Sequence, residues 1–383
     1  MTQNEMSLKL AALDVENRKR RLKEVERLSG KQITVEGQLA IDFSSNDYLG
    51  LANHPVLIAA SKQALEKYGT GSTASRLISG NSPFYTELEA ATAAWKGKEA
   101  ALVFNSGYLL NTSLLPVLCG AEDVVFCDRL NHASLIDGIK LSGAKWVVYP
   151  HSDLEALEKA LKKYAAKGKR WIITDSVFSM DGDIARLPEI ASLARIYKCN
   201  IFIDEAHATG VLGEQGRGAW NSADGEGLSV LTMGTYSKAL GSLGAFIACT
   251  ALEKEYFVNT CRGVIFTTAL PPAVLAASRF AVFYASKMEA ERSHLKVIAD
   301  KVRSAIKALG YDIGQSETQI IPVILGQDGA VLDASRALLK KGFFVPPVRF
   351  PAVGKGRARL RLSLSAAHTL KEVDALIKAL GEL

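Results

Sequence analysis

The chain reads as an α/β protein, with a large domain on a mostly parallel sheet and a smaller α/β domain after it. Three features carry that expectation. Between residues 100 and 204, short apolar strand patterns alternate with helical ones, as a parallel sheet covered on both faces requires. C-N-I-F-I-D-E-A (residues 199–206) ends such a strand on Asp204, at the edge where open α/β sheets bind ligands. L-T-M-G-T-Y-S-K-A-L-G-S-L-G-A-F (231–246) sets one lysine, Lys238, on a small-residue turn between apolar runs at 230–233 and 244–248.

In chain order, residues 7–28 mix Leu, Val and Ala with dense Arg, Lys and Glu, predicting an amphipathic helix ended by Gly30, with at least two of Arg18, Arg20 and Arg21 on a solvated face. Short strands are expected around Ile33 and Leu39. F-S-S-N-D-Y-L-G-L (43–51) is rich in turn formers and reads as a loop; Asn46 in it could donate to a carboxylate or make an Asx-turn with no ligand. Residues 69–81 crowd Gly, Ser and Thr around one arginine, and so long a polar stretch inside a domain usually binds something.

A helix should run from Pro83 to Trp95, and a strand at 100–104 leads into N-S-G-Y-L-L-N. Ser106 and Gly107 at a helix start form an anion-binding arrangement, because the first N–H groups are unpaired at the positive end; many helices open on Ser-Gly without a ligand. Strands at 124–127, 146–149, 171–174 and 201–204 then alternate with helices from Ser134, Asp153 and Pro188. The intervening loops carry N-H-A-S-L (131–135) and V-F-S-M-D-G-D (177–183). His132 thus falls at the same sheet edge as Asp204, where it could stack on a flat ring or be an ordinary surface residue. Helical patterns return over 252–309, with T-T-A-L-P-P (267–272) before the first long helix. The remainder has strands at 321–325 and 359–364, a helix near 330–340 and a last helix. The expected division is 1–50 (amino-terminal helix and small strands), 51–285 (large domain) and 286–383 (small domain).

Hydrophobic residues at 48% and charged ones at 22% describe an ordinary globular protein. The net charge of +6 is spread along the chain, which argues against nucleic acid as the main partner and suits an anionic substrate. Five cysteines, at 119, 127, 199, 249 and 261, form no C-x-x-C pair and sit in apolar surroundings. They read as free buried thiols in a reducing cytoplasm, so neither a disulfide framework nor a metal site is expected. No signal peptide is expected from M-T-Q-N-E-M-S-L-K-L, and no apolar run reaches membrane-spanning length, so no membrane partner is expected either.

The small neighbours of Lys238 leave room for a bulky group, and the hydroxyls of Thr235 and Ser237 could hold a phosphate beside it. Such a lysine could form a Schiff base with a phosphorylated aldehyde; a solvated turn lysine would read the same. Asp204 could keep a pyridine nitrogen protonated, or merely cap the next helix.

F-S-S-N-D-Y-L-G-L, S-R-L-I-S-G, H-A-S-L, V-F-S-M-D-G-D, D-E-A-H-A-T-G-V-L-G-E-Q-G-R-G, the Lys238 turn and R-A-R-L-R-L-S-L-S-A-A-H occur in order. With them the whole chain resembles the α-oxoamine synthases, which are fold-type I pyridoxal-phosphate (PLP) enzymes. That resemblance implies a seven-stranded sheet in the large domain and a homodimer with the active site at its interface. It implies that Lys238 holds PLP as a Schiff base and acts as acid and base at the substrate α-carbon. Asp204 would pair with the pyridine nitrogen, His132 would stack on the ring, and Ser179 and His207 would lie near its hydroxyl. Gly107, Tyr108 and Thr235 would contact the phosphate, joined by Thr268 of the second subunit. Asn46 and Arg361 would hold the amino-acid carboxylate, and Arg21 and Ala352 are further substrate candidates. Relatives often read Pro-Pro-Thr-Val-Pro where this chain has Arg349-Phe350-Pro351-Ala352-Val353, so a hydroxyl near the substrate is missing. The implied reaction is a decarboxylating condensation of L-alanine with pimeloyl thioester. Acetyl transfer to glycine, or another acyl transfer to glycine or serine, is the alternative within the chemistry. A cofactor- or metabolite-sensing binding module is the alternative outside it.

Overall fold

The computed structural model describes all 383 residues, which form two compact units. One comprises residues 51–179 and 184–292, the other residues 1–50, 180–183 and 293–383.

The first unit is built on a seven-stranded sheet in the order Ala100–Phe104, Ala245–Cys249, Val230–Thr235, Asn200–Asp204, Arg170–Asp175, Val124–Asp128, Lys145–Tyr149. Ala245–Cys249 is antiparallel to both its neighbours, and the remaining pairs are parallel. Alternate residues of each strand face opposite ways, so the sheet feeds two cores. Val125, Cys127, Ile173 and Phe202 pack under the helices Gly107–Leu118 and Ala133–Ser142, whereas Val124, Phe126, Ile172 and Ile201 pack under Leu154–Lys163 and Leu187–Tyr197. Both faces are covered, which is why these strands are unbroken apolar runs.

The first two of those helices approach closely because Gly138 has no side chain. A Cβ there would lie 2.4 Å from the Asn111 backbone oxygen. Asn111, at that contact, is one helical turn beyond Gly107.

In the second unit, Gln32–Val35 and Gln38–Asp42 form a hairpin whose turn, Glu36 and Gly37, has φ of 51° and 81° at its two central residues. Phe343–Phe344 adds in parallel beside Gln38–Asp42. A separate sheet joins Ile320–Gly326, Ala358–Ser363 and Pro347–Val348. Residues 180–183 belong here: Gly182 (φ +73°) accepts from the N–H groups of Glu317 and Thr318, and a Cβ on it would meet the Ile320 carbonyl at 1.9 Å.

The amino-terminal expectation needs correction. The helix spans Gln3–Val15 rather than 7–28, buries no residue, and is followed by Asn17 at φ 57°. Its apolar residues scatter around the axis, leaving no stripe to bury; Leu8, Leu10 and Val15 are all exposed. Residues 18–24 are irregular, and Val25–Arg27 pairs antiparallel with Gln32–Val35 where helix was expected.

Candidate active site

Lys238 sits on the connection between Val230–Thr235 and Ala245–Cys249. That turn is tied by its own backbone: Gly241 N–H donates to the Lys238 carbonyl (2.8 Å) and Ser242 N–H to that of Tyr236 (2.8 Å). Gly241 (φ +61°) is required, because a Cβ would stand 2.3 Å from the Ala52 nitrogen. Tyr236 is fully buried and its hydroxyl meets Thr92 Oγ1 at 2.7 Å, anchoring the turn from below.

The helix Gly107–Leu118 starts beside this turn's strand. Ser106 caps it, taking the Leu109 N–H on Oγ and the Leu110 N–H on its carbonyl. The N–H groups of Gly107 and Tyr108 remain at the positive helix end. A Cβ on Gly107 would come within 3.0 Å of Thr235 Cγ2, and Thr235 Oγ1 is buried with no hydrogen-bond partner. An orphaned hydroxyl, two helix-end donors and a glycine between them suit a phosphate, so these residues fit the phosphorylated cofactor. The Tyr108 side chain turns to Asp137, donating from its hydroxyl at 2.5 Å. Thr268 is exposed, and its carbonyl accepts from Asn105 Nδ2 at 2.8 Å.

Asp204 ends its strand and is buried. Its Oδ1 accepts the Ala206 N–H (2.9 Å) and its Oδ2 accepts Asn111 Nδ2 (2.8 Å). Asp175 is its cross-strand partner on the neighbouring strand and accepts the His132 N–H at 2.7 Å. Burial, then the Asp204 charge, pushes the Asp175 carboxyl well above the usual carboxylate range. His132 caps the helix Ala133–Ser142. Although its ring presents exposed area, the surroundings of its nitrogens are desolvated, and this holds its pKa below the ordinary value; Asp204 opposes the shift and the Lys238 ammonium adds to it. Lys238, Asp204, Asp175 and His132 are thus close enough to feel one another's charge. His207 is buried three residues past Asp204, and Ser179 is half-buried in the turn after Arg170–Asp175.

Asn46 and Arg361 lie in the other unit. Arg361, 6% exposed on Ala358–Ser363, aims both terminal nitrogens at Asn46 Oδ1 (3.3 Å each), which also accepts the Tyr48 hydroxyl (3.1 Å). The asparagine oxygen is committed to these donors, so the donor of its amide is the end left to meet a carboxylate. Arg21 is exposed on the irregular segment, and Ala352 is exposed in a turn where its N–H donates to the Arg349 carbonyl (3.0 Å).

Sequence reasoning missed Asn111, Ser134 and Asp175. Asp175 carried the same signal as Asp204, a carboxylate ending an apolar strand. Asn111 stood out as one amide among leucines in N-S-G-Y-L-L-N.

The chain matches the model of the family "aminotransferase class I and II" over residues 40–380. It is 46% identical to 8-amino-7-oxononanoate synthase of Trichlorobacter lovleyi, over 94% of this chain and 93% of that one. With the Geobacter sulfurreducens enzyme of the same name it shares 44%, over 95% and 94%. Among solved structures it is similar to a lysine-to-alanine variant of serine palmitoyltransferase from S. paucimobilis with a bound PLP–myriocin aldimine (TM-score 0.93, 29% identity, 99% and 96% covered). It is also similar to 8-amino-7-oxononanoate synthase of Francisella tularensis (TM-score 0.77, 29% identity, 90% and 97% covered).

Proposed function

The chain belongs to the aminotransferase class I and II family, in its α-oxoamine synthase branch, and we propose residue roles for a decarboxylating condensation of L-alanine with a pimeloyl thioester. It is a PLP-dependent C-acyltransferase of biotin biosynthesis that forms 8-amino-7-oxononanoate. The observation that carries this choice of reaction is the 46% identity to a synthase of that name over 94% of the chain.

PLP, when bound, supplies an electron sink for the carbon that loses its carboxylate. The chain's residues do the rest. The Lys238 amine anchors the aldehyde and moves the proton at the alanine α-carbon. Asp204, with Asn111 and the Ala206 N–H fixing its oxygens, holds a proton on the pyridine nitrogen. His132 stacks on the ring, and Ser179 and His207 serve its hydroxyl. Gly107, Tyr108 and Thr235 hold the phosphate. Asn46 and Arg361 hold the alanine carboxylate, and Arg21 and Ala352 are further candidates for contact with the acyl substrate.

We further propose that the chain works as a homodimer in which Thr268 reaches the partner's phosphate. Exposed apolar side chains in the first unit, among them Ile78, Phe266 and Leu243, support an interface. A second reading, a serine and palmitoyl-thioester user, is favoured by the TM-score of 0.93 to serine palmitoyltransferase. Turnover with paired amino acids and acyl thioesters tests both: alanine with pimeloyl thioester should lead, and serine with palmitoyl thioester leading would establish the second.

A further inference from the structure

Asn111, which fixes one oxygen of Asp204, and Ser134 together join Asp204 to His132. Asn111 is fully buried, and its Nδ2 donates both protons, to Asp204 Oδ2 (2.8 Å) and to Ser134 Oγ (2.9 Å). Ser134, also buried, places Oγ 2.7 Å from His132 Nδ1, and its N–H points at the same nitrogen from 3.3 Å. The polarity is set at both ends, by the Asp204 carboxylate and by the Ser134 N–H that donates to His132 Nδ1. The amide cannot be reversed, because its oxygen would then face a carboxylate oxygen, and as placed that oxygen is buried without a donor. Ser134 Oγ therefore accepts from Asn111 and has its own proton to give. Two donors then converge on His132 Nδ1, which must carry a lone pair, so the ring proton sits on Nε2.

We propose that Asn111 and Ser134 are positioning residues, forming a one-way hydrogen-bond relay that orients Asp204 and fixes His132 as the neutral Nε2–H tautomer. This rests on the cofactor roles proposed for those two residues. Gly138 is part of the device: its missing Cβ lets the two helices close until Asn111 and Ser134 touch. The relay couples the group that holds the pyridine proton to the group that stacks on the ring, so a change in one charge is felt by the other. Desolvation lowering the His132 pKa acts in the same direction.

The test is nitrogen-15 NMR of histidine-labelled full-length protein, with and without PLP, alongside kinetics. Wild type should show His132 as Nε2–H above pH 7. Ser134→Ala should give a tautomer mixture, and Ser134→Thr should restore the single form. Asn111→Ala should lower kcat roughly tenfold with little change in KM for alanine, the size of one hydrogen bond to a charged group. Gly138→Ala should reproduce that loss with both polar side chains intact. An Nδ1–H tautomer in wild type, or an unchanged tautomer in Ser134→Ala, would overturn the relay. The tautomer is read without substrate, so a wrong choice of acyl or amino-acid substrate would leave this result standing and fail only in turnover.

Discussion

Lys238 is one lysine on a turn held by backbone hydrogen bonds, within reach of the charges of His132 and Asp175. Borohydride treatment of the yellow protein should fix PLP on Lys238 alone, and Lys238→Ala should lose about 10²–10⁴-fold in kcat, the range of a positioned acid and base. Recovery of the label on another lysine would displace the assignment. Arg361 presents a fork, so Arg361→Lys should raise KM for alanine at least about tenfold, because a point charge cannot keep two bonds. A second residue titrates in the fold. His368 accepts the Ser365 N–H on Nδ1 (3.1 Å), donates from Nε2 to the Asp42 carbonyl (3.1 Å) and stacks on Phe43, and burial lowers its pKa to about 4. The folded protein refuses a proton that the unfolded chain takes up near pH 6.5, so this stability is whole above 6.5 and drains as pH falls toward 4. At about 1.4 kcal/mol per unit the loss is on the order of 3 kcal/mol. Urea midpoints measured from pH 7 to 4 should fall in wild type and fall less in His368→Gln.

At the scale of elements, strands buried on both faces were legible because they are unbroken apolar runs; Ala100–Phe104 and Asn200–Asp204 needed nothing else. Val25–Arg27, Phe343–Phe344 and Pro347–Val348 were not, since runs of two or three residues carry no period. The Gln3–Val15 helix deceived in the other direction, having helical composition and no buried face. Asp204 and His132 could be placed at one sheet edge from strand ends alone, and Lys238 on a turn between two strands. The Asn111–Ser134 contact could not, because it depends on how far Gly138 lets two helices approach. The Lys238 turn depends on a glycine in the same way. Gly241→Ala should cost at least about 1–2 kcal/mol from the left-handed backbone alone, and the Cβ clash with Ala52 should also displace Lys238. Thermal melting together with PLP affinity checks this, and an unchanged affinity would mean that the turn does not aim the lysine.

For the whole molecule, the sequence divides by position while the chain divides by packing. Residues 180–183 join the unit of the two termini through Gly182 and its bonds to Glu317 and Thr318, which no local pattern announces. The dimer proposal predicts a sedimentation mass of about twice 41.2 kDa for the holoenzyme; a monomer with full activity would remove Thr268 from the site. Purified holoprotein should convert L-alanine and pimeloyl thioester to 8-amino-7-oxononanoate, identified by product mass, faster than it turns over glycine with acetyl thioester or serine with palmitoyl thioester. Faster turnover of either competing pair under matched conditions would assign the protein a different reaction.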